Sequence, residues 1–363
     1  MHNMTSIRHI TAMLLATPLM ALAQTTGAMR SAMHIDLCDT TSQGVLLQEV
    51  QHMTAARRFS SGAIRWFFDV AAEGWATPLS VRTDSIRQIR LSHVEVPENP
   101  TVDLRIMQFN IREDKQTEPD YNTFTGVRAA AIVEMLHDVQ PDIVCLQECR
   151  KTQAQYLATA VPEYTQILYP KDGIEKNGGQ RDVILYDNTK LRLISWNKFW
   201  FSETPNESSM SWDASTPKLT IYARFRSRTD TTKDVYVYCT HFPPSAPEAM
   251  GHAVTMIEES IAKMTKNTMP VFLCGDLNLS YDNAILDPLK AYMSHAASTA
   301  LTSDGVEAIT YNGYRDTNLK TLDHIFYRNA VVDTYHVKNK LYQYGTDCKW
   351  ISDHYPLYCD LSF

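Results

Sequence analysis

The amino-acid sequence predicts an α/β fold in which two β-sheets pack face to face, with helices on the outside. Two observations carry this expectation. From Asp103 onward, apolar runs of strand length alternate with segments of helical spacing, and the runs clearly outnumber the helical segments. A single doubly wound sheet is too helix-rich to fit that count, so the surplus strands need a second sheet.

The N-terminus precedes this pattern. Arg8 and His9 form a positive region, Ile10 to Leu22 is almost wholly apolar, and Ala21-Leu22-Ala23 supplies small residues before Gln24. Residues 1–23 therefore read as a signal peptide, and the mature chain is expected outside the cytoplasm, periplasmic or secreted. No later stretch is long enough to span a bilayer. Residues 24–33 are expected to be disordered. Runs such as Ile64 to Val70 and Ile86 to Leu91 predict strands of a small β-rich segment, and Pro97-Glu98-Asn99-Pro100 reads as a linker. The division is 24–100 for this segment with its linker and 101–363 for the main domain.

In the main domain, Leu104 to Ile111 is strand-like. Val127, Ala131, Met135 and Val139 then fall at helical spacing, Pro141 stops that helix, and Asp142 to Leu146 begins a second buried strand. Further strands are expected at Val183–Tyr186, Leu191–Trp196, Leu219–Phe225, Val235–Thr240, Val271–Cys274, Ile325–Tyr327 and Leu357–Leu361. Helical patterns lie at 151–160, 247–266 and 283–294.

The 363 residues are 44% hydrophobic and carry a net charge of −7, which supports a large core and argues against a broad basic face for nucleic acid. Of seven cysteines, Cys145, Cys239, Cys274 and Cys359 lie in strand-like runs and read as small buried hydrophobes. Spacing leaves Cys38 and Cys348 open, and no zinc-type cluster is present in the sequence.

Chemistry is expected at the strand ends. Six carry polar residues that a core does not need: Asn110 and Arg112, Gln147-Glu148, His241, Gly275-Asp276-Leu277-Asn278, Asp323-His324, and Ser352-Asp353-His354. Gly275 is expected to let the chain turn, so that Asp276 and Asn278 emerge together. Glu148, with help from Asn110 or Asp353, would suffice for a hard cation such as Mg²⁺, which prefers oxygen ligands and keeps several waters. Asp276 would orient or deprotonate a water, and Asn278 would donate to a phosphoryl oxygen. Asp142 reads as a turn residue and His324 as packing.

As an ordered set, these segments resemble the endonuclease/exonuclease/phosphatase superfamily of DNase I-like, metal-dependent phosphoesterases, over residues 103–363. Phe199 to Pro205 followed by Ser211-Trp212-Asp213-Ala214 is similar to a signature of its exported bacterial branch. The resemblance implies a four-layer α/β sandwich, a Mg²⁺ cofactor with Mn²⁺ as an alternative, and hydrolysis of a phosphodiester or phosphomonoester by direct water attack. It also pairs Asp323 with His354 and makes His241 a proton donor or phosphate clamp. Arg112, Arg181 and Trp212 are the expected substrate contacts. Trp196, Trp200 and Trp212 stand near a presumed rim, although Trp196 reads first as core. Gly179-Gln180 and Lys218 depart from the branch, which has Gly-Glu and a nearby Arg there. The expected partner is a phosphoester, whether a small molecule, a lipid headgroup or nucleic acid, bound by a monomer. An exported nuclease and a non-catalytic phosphate-binding protein are the alternatives.

Overall fold

Alternation along the strands decides which side chains meet between the sheets. The computed structural model describes residues 103–363 apart from 116–122, 176–178, 266–267, 316 and 345–346, together with six strands between 28 and 96. In chain order the main strands are β1 (Asp103–Asn110), β2 (Ile143–Arg150), β3 (Tyr164–Pro170), β4 (Gln180–Asp187), β5 (Leu191–Trp200) and β6 (Leu219–Ser227). They continue with β7 (Asp234–His241), β8 (Val271–Asp276), β9 (Asp323–Arg328), β10 (Val331–Val337) and β11 (Leu357–Ser362). The principal helices are α1 (Ala129–Val139), α2 (Lys151–Ala160) and α3 (Pro247–Met264).

One sheet has seven strands, in the order Thr302–Ser303, β10, β11, β1, β2, β4, β3. The other has six: β5, β6, β7, β8, β9 and Ser294–His295. Each holds a parallel pair near its middle, β1 with β2 and β7 with β8. Each pair is flanked by an antiparallel strand, β11 beside β1 and β9 beside β8. The C-terminal ends of the parallel pairs and the N-terminal ends of β9 and β11 therefore open at the same end of the sandwich.

Three apolar clusters make the layers. Ile106, Cys145, Ile184, Ile221, Val237, Cys274, Ile325 and Leu357 are buried between the sheets. The opposite faces of β1 and β2, through Met107, Phe109, Val144 and Leu146, pack on Ile132, Met135 and Leu136 of α1. Tyr238, Leu273 and Phe326 pack on Val254, Ile257 and Ile261 of α3. The result is the four-layer α/β sandwich expected from the sequence, with each fully buried aliphatic side chain contributing about 1.5–3 kcal/mol. Helix α1 ends at Gln140, in left-handed conformation, because Pro141 cannot continue it. The four strand cysteines are buried free thiols, as is Cys149.

Several expectations need correction. Strands β3 and β10 were not anticipated, since polar residues interrupt both at half-buried positions. The helix expected at 283–294 is a 3₁₀ turn at Ala284–Leu286 and one short helix at Asp287–Tyr292. Disorder expected over 24–33 gives way from Ala28, where Ala28–Leu37 is a strand. It pairs with Ser42–Leu46 and Ile86–Val96, while Val50–Ala56, Arg65–Val70 and Leu79–Arg82 form a second antiparallel sheet. The expected signal peptide, the linker at 97–100 and Cys38 lie outside the described residues. Among the described residues no helix is long and apolar enough to cross a membrane.

Candidate active site

The polar residues at the open end continue the inward-facing series of each strand. On β1 the even positions Leu104 and Ile106 enter the inter-sheet core, and Gln108 and Asn110 follow on the same face. On β7 Val235, Val237 and Cys239 lead to His241, on β8 Phe272 and Cys274 lead to Asp276, and on β9 Asp323 precedes Ile325 and Tyr327. Asp323 and the Ser352–His354 segment thus stand at strand starts rather than strand ends. They reach the same place because β9 and β11 run antiparallel to their neighbours.

A buried amide layer separates core from cleft. Gln108 and Gln147 bond each other through their carboxamides; Gln108 Nε2 also donates to Asp323 Oδ1 at 3.2 Å, and Gln147 Nε2 to Cys239 Sγ at 3.4 Å. Sequence reasoning missed Gln108 as part of the site. Its signal was a polar residue at a core-facing position of a strand otherwise buried there.

Glu148 has the wrong parity to face inward. A β-bulge corrects this: the register between β2 and β4 shifts between Arg181 and Val183, and Glu148 takes a φ of 61°. Bulges re-aim side chains in this way beside functional sites. Arg112 and Asn278 are also left-handed, at 58° and 53°. Asn tolerates this region, whereas Glu and Arg do so at a cost that the surroundings must offset. For Arg112 the support is visible. Buried Arg128 donates to the carbonyls of Ile111 (2.7 Å), Arg112 (3.3 Å), Glu113 (3.3 Å) and Ile351 (3.3 Å), and Gln153 Nε2 donates to Arg112 O at 2.9 Å.

Asn110 joins the two halves of the cleft. Its Nδ2 donates to Asp276 Oδ2 at 2.9 Å and to Glu148 Oε1 at 3.3 Å. Asp276 Oδ1 accepts from Asn278 N at 3.0 Å, and Asn278 Nδ2 donates to Phe242 O at 3.0 Å. His354 Nδ1 donates to Asp323 Oδ2 at 2.7 Å, while His241 Nε2 and His354 Nε2 face Asp276 Oδ2 from 3.5 and 3.7 Å. Gly275 does not turn the chain as expected; β8 runs on through it, and the turn falls at Asn278. Glycine is needed because a Cβ would stand 2.6 Å from Thr240 Cγ2 and 2.7 Å from Thr240 O.

Burial pushes Asp276 up, to about 7, with nearby Asp323 adding to the effect. Burial also disfavours the His354 imidazolium, but Asp323 and Asp276 outweigh it and raise the ring to about 10. Burial and the charges of Lys218 and His354 hold His241 well below the ordinary imidazole range. Glu148 is lowered despite its burial, because Lys218, Arg112 and His354 surround it. At neutral pH the cleft holds a cationic His354, a neutral His241 and an anionic Glu148.

The donor set fits a hard cation. Arg112 Nη1 lies between two carboxylates, 3.8 Å from Glu148 Oε2 and 3.4 Å from Asp353 Oδ2, so both already face one positive charge, with the Asn110 carboxamide beside Glu148. Asp276, Asp323 and His354 form a second grouping, with ligand atoms within 4.8 Å of one another, but its His354 to Asp323 hydrogen bond already occupies Nδ1.

A cleft of about 400 Å³ is lined by Arg112, Glu148, His241, Asp276, Asn278, Asp353 and His354, with Asp323 directly behind His354. Arg181 lies deeper, buried in a recess with Nη1 on Gly179 O at 2.6 Å. Trp212 is not brought to the cleft; it stacks on His252 at 3.9 Å. Of the presumed rim, Trp200 is buried with Nε1 on Lys171 O, and Trp196, read as core, is 41% exposed on β5, which lies at the sheet edge. His324 packs as expected, bonded to Leu279 O and His295. Asp142 does more than turn the chain, accepting from Arg105 N at 2.7 Å and pairing with Lys190.

Fold and cleft together define an α/β sandwich of the DNase I type. The chain belongs to the Endonuclease/Exonuclease/phosphatase family, whose sequence profile matches residues 107–354. Over 255 residues it is 26% identical to uncharacterized protein L388 of Acanthamoeba polyphaga mimivirus, covering 63% of this chain and 89% of that one. A mannosyl-6-phosphatase of Bacteroides thetaiotaomicron superposes with a TM-score of 0.65 at 23% identity, over 72% of this chain and all (100%) of that one. The TDP2 of D. rerio, complexed with a single-strand DNA product, gives 0.57 at 15% identity, over 72% and 99%.

Proposed function

We propose that this protein is an exported, Mg²⁺-dependent phosphoesterase that hydrolyses a small-molecule phosphodiester or phosphomonoester by direct attack of water. The observation that carries the reading is the convergence of Glu148, Asp276, His241 and the Asp323 and His354 pair in one cleft. Its volume of about 400 Å³ suits a small ligand.

Held by Glu148 with Asn110 and Asp353, the ion would polarise a phosphoryl oxygen and neutralise developing charge. Asp276, fixed by Asn110 and by Asn278 N, orients the attacking water and accepts its proton; a carboxyl raised to about 7 is well matched to that role at neutral pH. His354, held cationic by Asp323, offers Nε2–H to a phosphoryl oxygen, and neutral His241 serves as a hydrogen-bonding clamp rather than a strong acid. The second hydrogen of the Asn278 carboxamide remains available to another phosphoryl oxygen. The signal-like residues 1–23 support action outside the cytoplasm.

The test is hydrolysis of bis-p-nitrophenyl phosphate and p-nitrophenyl phosphate with Mg²⁺, with EDTA, and with Asp276→Ala, beside plasmid DNA as substrate. EDTA should abolish turnover and Asp276→Ala should lower it by about 10²–10⁴-fold. Activity surviving either treatment refutes the mechanism, and a strong preference for plasmid DNA overturns the small-molecule assignment.

A further inference from the structure

Lys218 sits immediately before β6, against the end of β7 where His241 emerges, and its Phe201-bound carbonyl fixes the backbone. The residue is only 7% exposed. Its ammonium makes no hydrogen bond and no ion pair with any described residue, and it borders the open cleft. A lysine ammonium mostly withdrawn from water and given no hydrogen-bond partner by the protein marks a place where an incoming anion is favoured. Glu148 and Asp182 are near enough to be felt, yet neither comes within ion-pair distance.

The ammonium faces a recess that opens into the cleft, and Lys171 lines the same recess. Lys171 Nζ donates to the neutral carboxamide of Gln180 at 2.6 Å and has no carboxylate partner among the described residues. Two ammonium groups without a described carboxylate within ion-pair distance therefore line the cleft beside His241 and Glu148. Asp276, Asn278 and His354, assigned above to the water and the scissile phosphoryl group, do not line that recess, which leaves the two ammonium groups for a different anion.

We infer that Lys218 and Lys171 form a second anion subsite, and that the preferred substrate carries another anionic group, a phosphate or a carboxylate, close to the ester that is cleaved. The inference rests on the phosphoesterase reading only for what lies at the scissile position. The subsite determines specificity and takes no part in bond cleavage.

Calorimetric binding tests it without turnover. Methylphosphonate supplies one anionic group, phosphonoacetate adds a carboxylate, and propane-1,3-diphosphonate adds a second phosphonate. With Mg²⁺ present, the protein should bind one of the two bifunctional probes at least about tenfold more tightly than methylphosphonate, the gain expected of one charge-assisted hydrogen bond. Whichever probe wins identifies the second group. Lys218→Met should remove that preference while weakening methylphosphonate by less than about threefold, and Lys218→Arg should restore it. Circular dichroism melting should be unchanged or raised in Lys218→Met, because no hydrogen bond or ion pair is lost and a mostly buried charge is removed. Equal weakening of all three probes would assign Lys218 to the scissile phosphoryl group. No preference in the parent protein, or a collapse of melting in Lys218→Met, would equally overturn the subsite. Selective binding without hydrolysis would leave the subsite standing and refute the phosphoesterase reading alone.

Discussion

His354 Nδ1 lies 2.7 Å from Asp323 Oδ2, and the two residues belong to different sheets: Asp323 opens β9, and His354 precedes β11. The bond therefore ties the sandwich together at its open end while setting the charge of the imidazole. Gln108, donating from β1 to the other oxygen of Asp323, reinforces the same crossing.

That pairing makes stability depend on pH. His354 is raised from 6.5 to about 10, so its contribution is fully present below about pH 6.5 and is lost as the pH rises through about 10. Asp323→Asn should remove a contribution on the order of a few kcal/mol at low pH. Urea unfolding in EDTA should show the difference between parent and variant shrinking from pH 6.5 toward pH 10. A gap that widens over that range would contradict the assignment.

Asn110 touches both carboxylates, so Asn110→Ala should release Glu148 and Asp276 together. Asn110 is proposed above to hold the ion as well as to orient Glu148, and loss of an orienting group alone typically costs about 10–100-fold in metal affinity. The Mg²⁺ concentration needed for half-maximal activity should rise by at least that order, with the fold intact by circular dichroism.

Arg128 is completely buried and holds the carbonyls around the left-handed Arg112. Arg128→Met would leave these acceptors without their cationic donor, at a cost of roughly 2–4 kcal/mol in unfolding free energy. Weaker substrate binding should accompany the loss of stability, because Arg112 would no longer be held toward Glu148 and Asp353.

How much of this was legible in the sequence follows from the period of the strands. A polar residue where an apolar series should continue is visible in the chain, which is why the sequence alone points to Asn110, His241, Asp276 and Asp323. Glu148 was named too, but its orientation was not readable, since a bulge depends on the register with β4 and leaves no mark in β2 itself. Arg128 was invisible for a related reason: its acceptors are backbone carbonyls, which carry no side-chain signature. Trp196 was misjudged because hydropathy does not distinguish a central strand from an edge strand such as β5.

Gly275 gives the sharpest test of how the strand tips are held. A methyl group there would meet Thr240 Cγ2 at 2.6 Å and Thr240 O at 2.7 Å, both closer than a carbon can stand. Gly275→Ala should therefore push β8 away from β7 and destabilise the protein by about 1–3 kcal/mol, measured by urea unfolding. His241 follows Thr240 and Asp276 follows Gly275, so the same displacement should separate these side chains and lower activity more than an equally destabilising core substitution does. Adding Thr240→Ser removes the methyl clash but not the carbonyl clash. It should recover only part of the stability, and full recovery would mean that side-chain crowding alone requires the glycine.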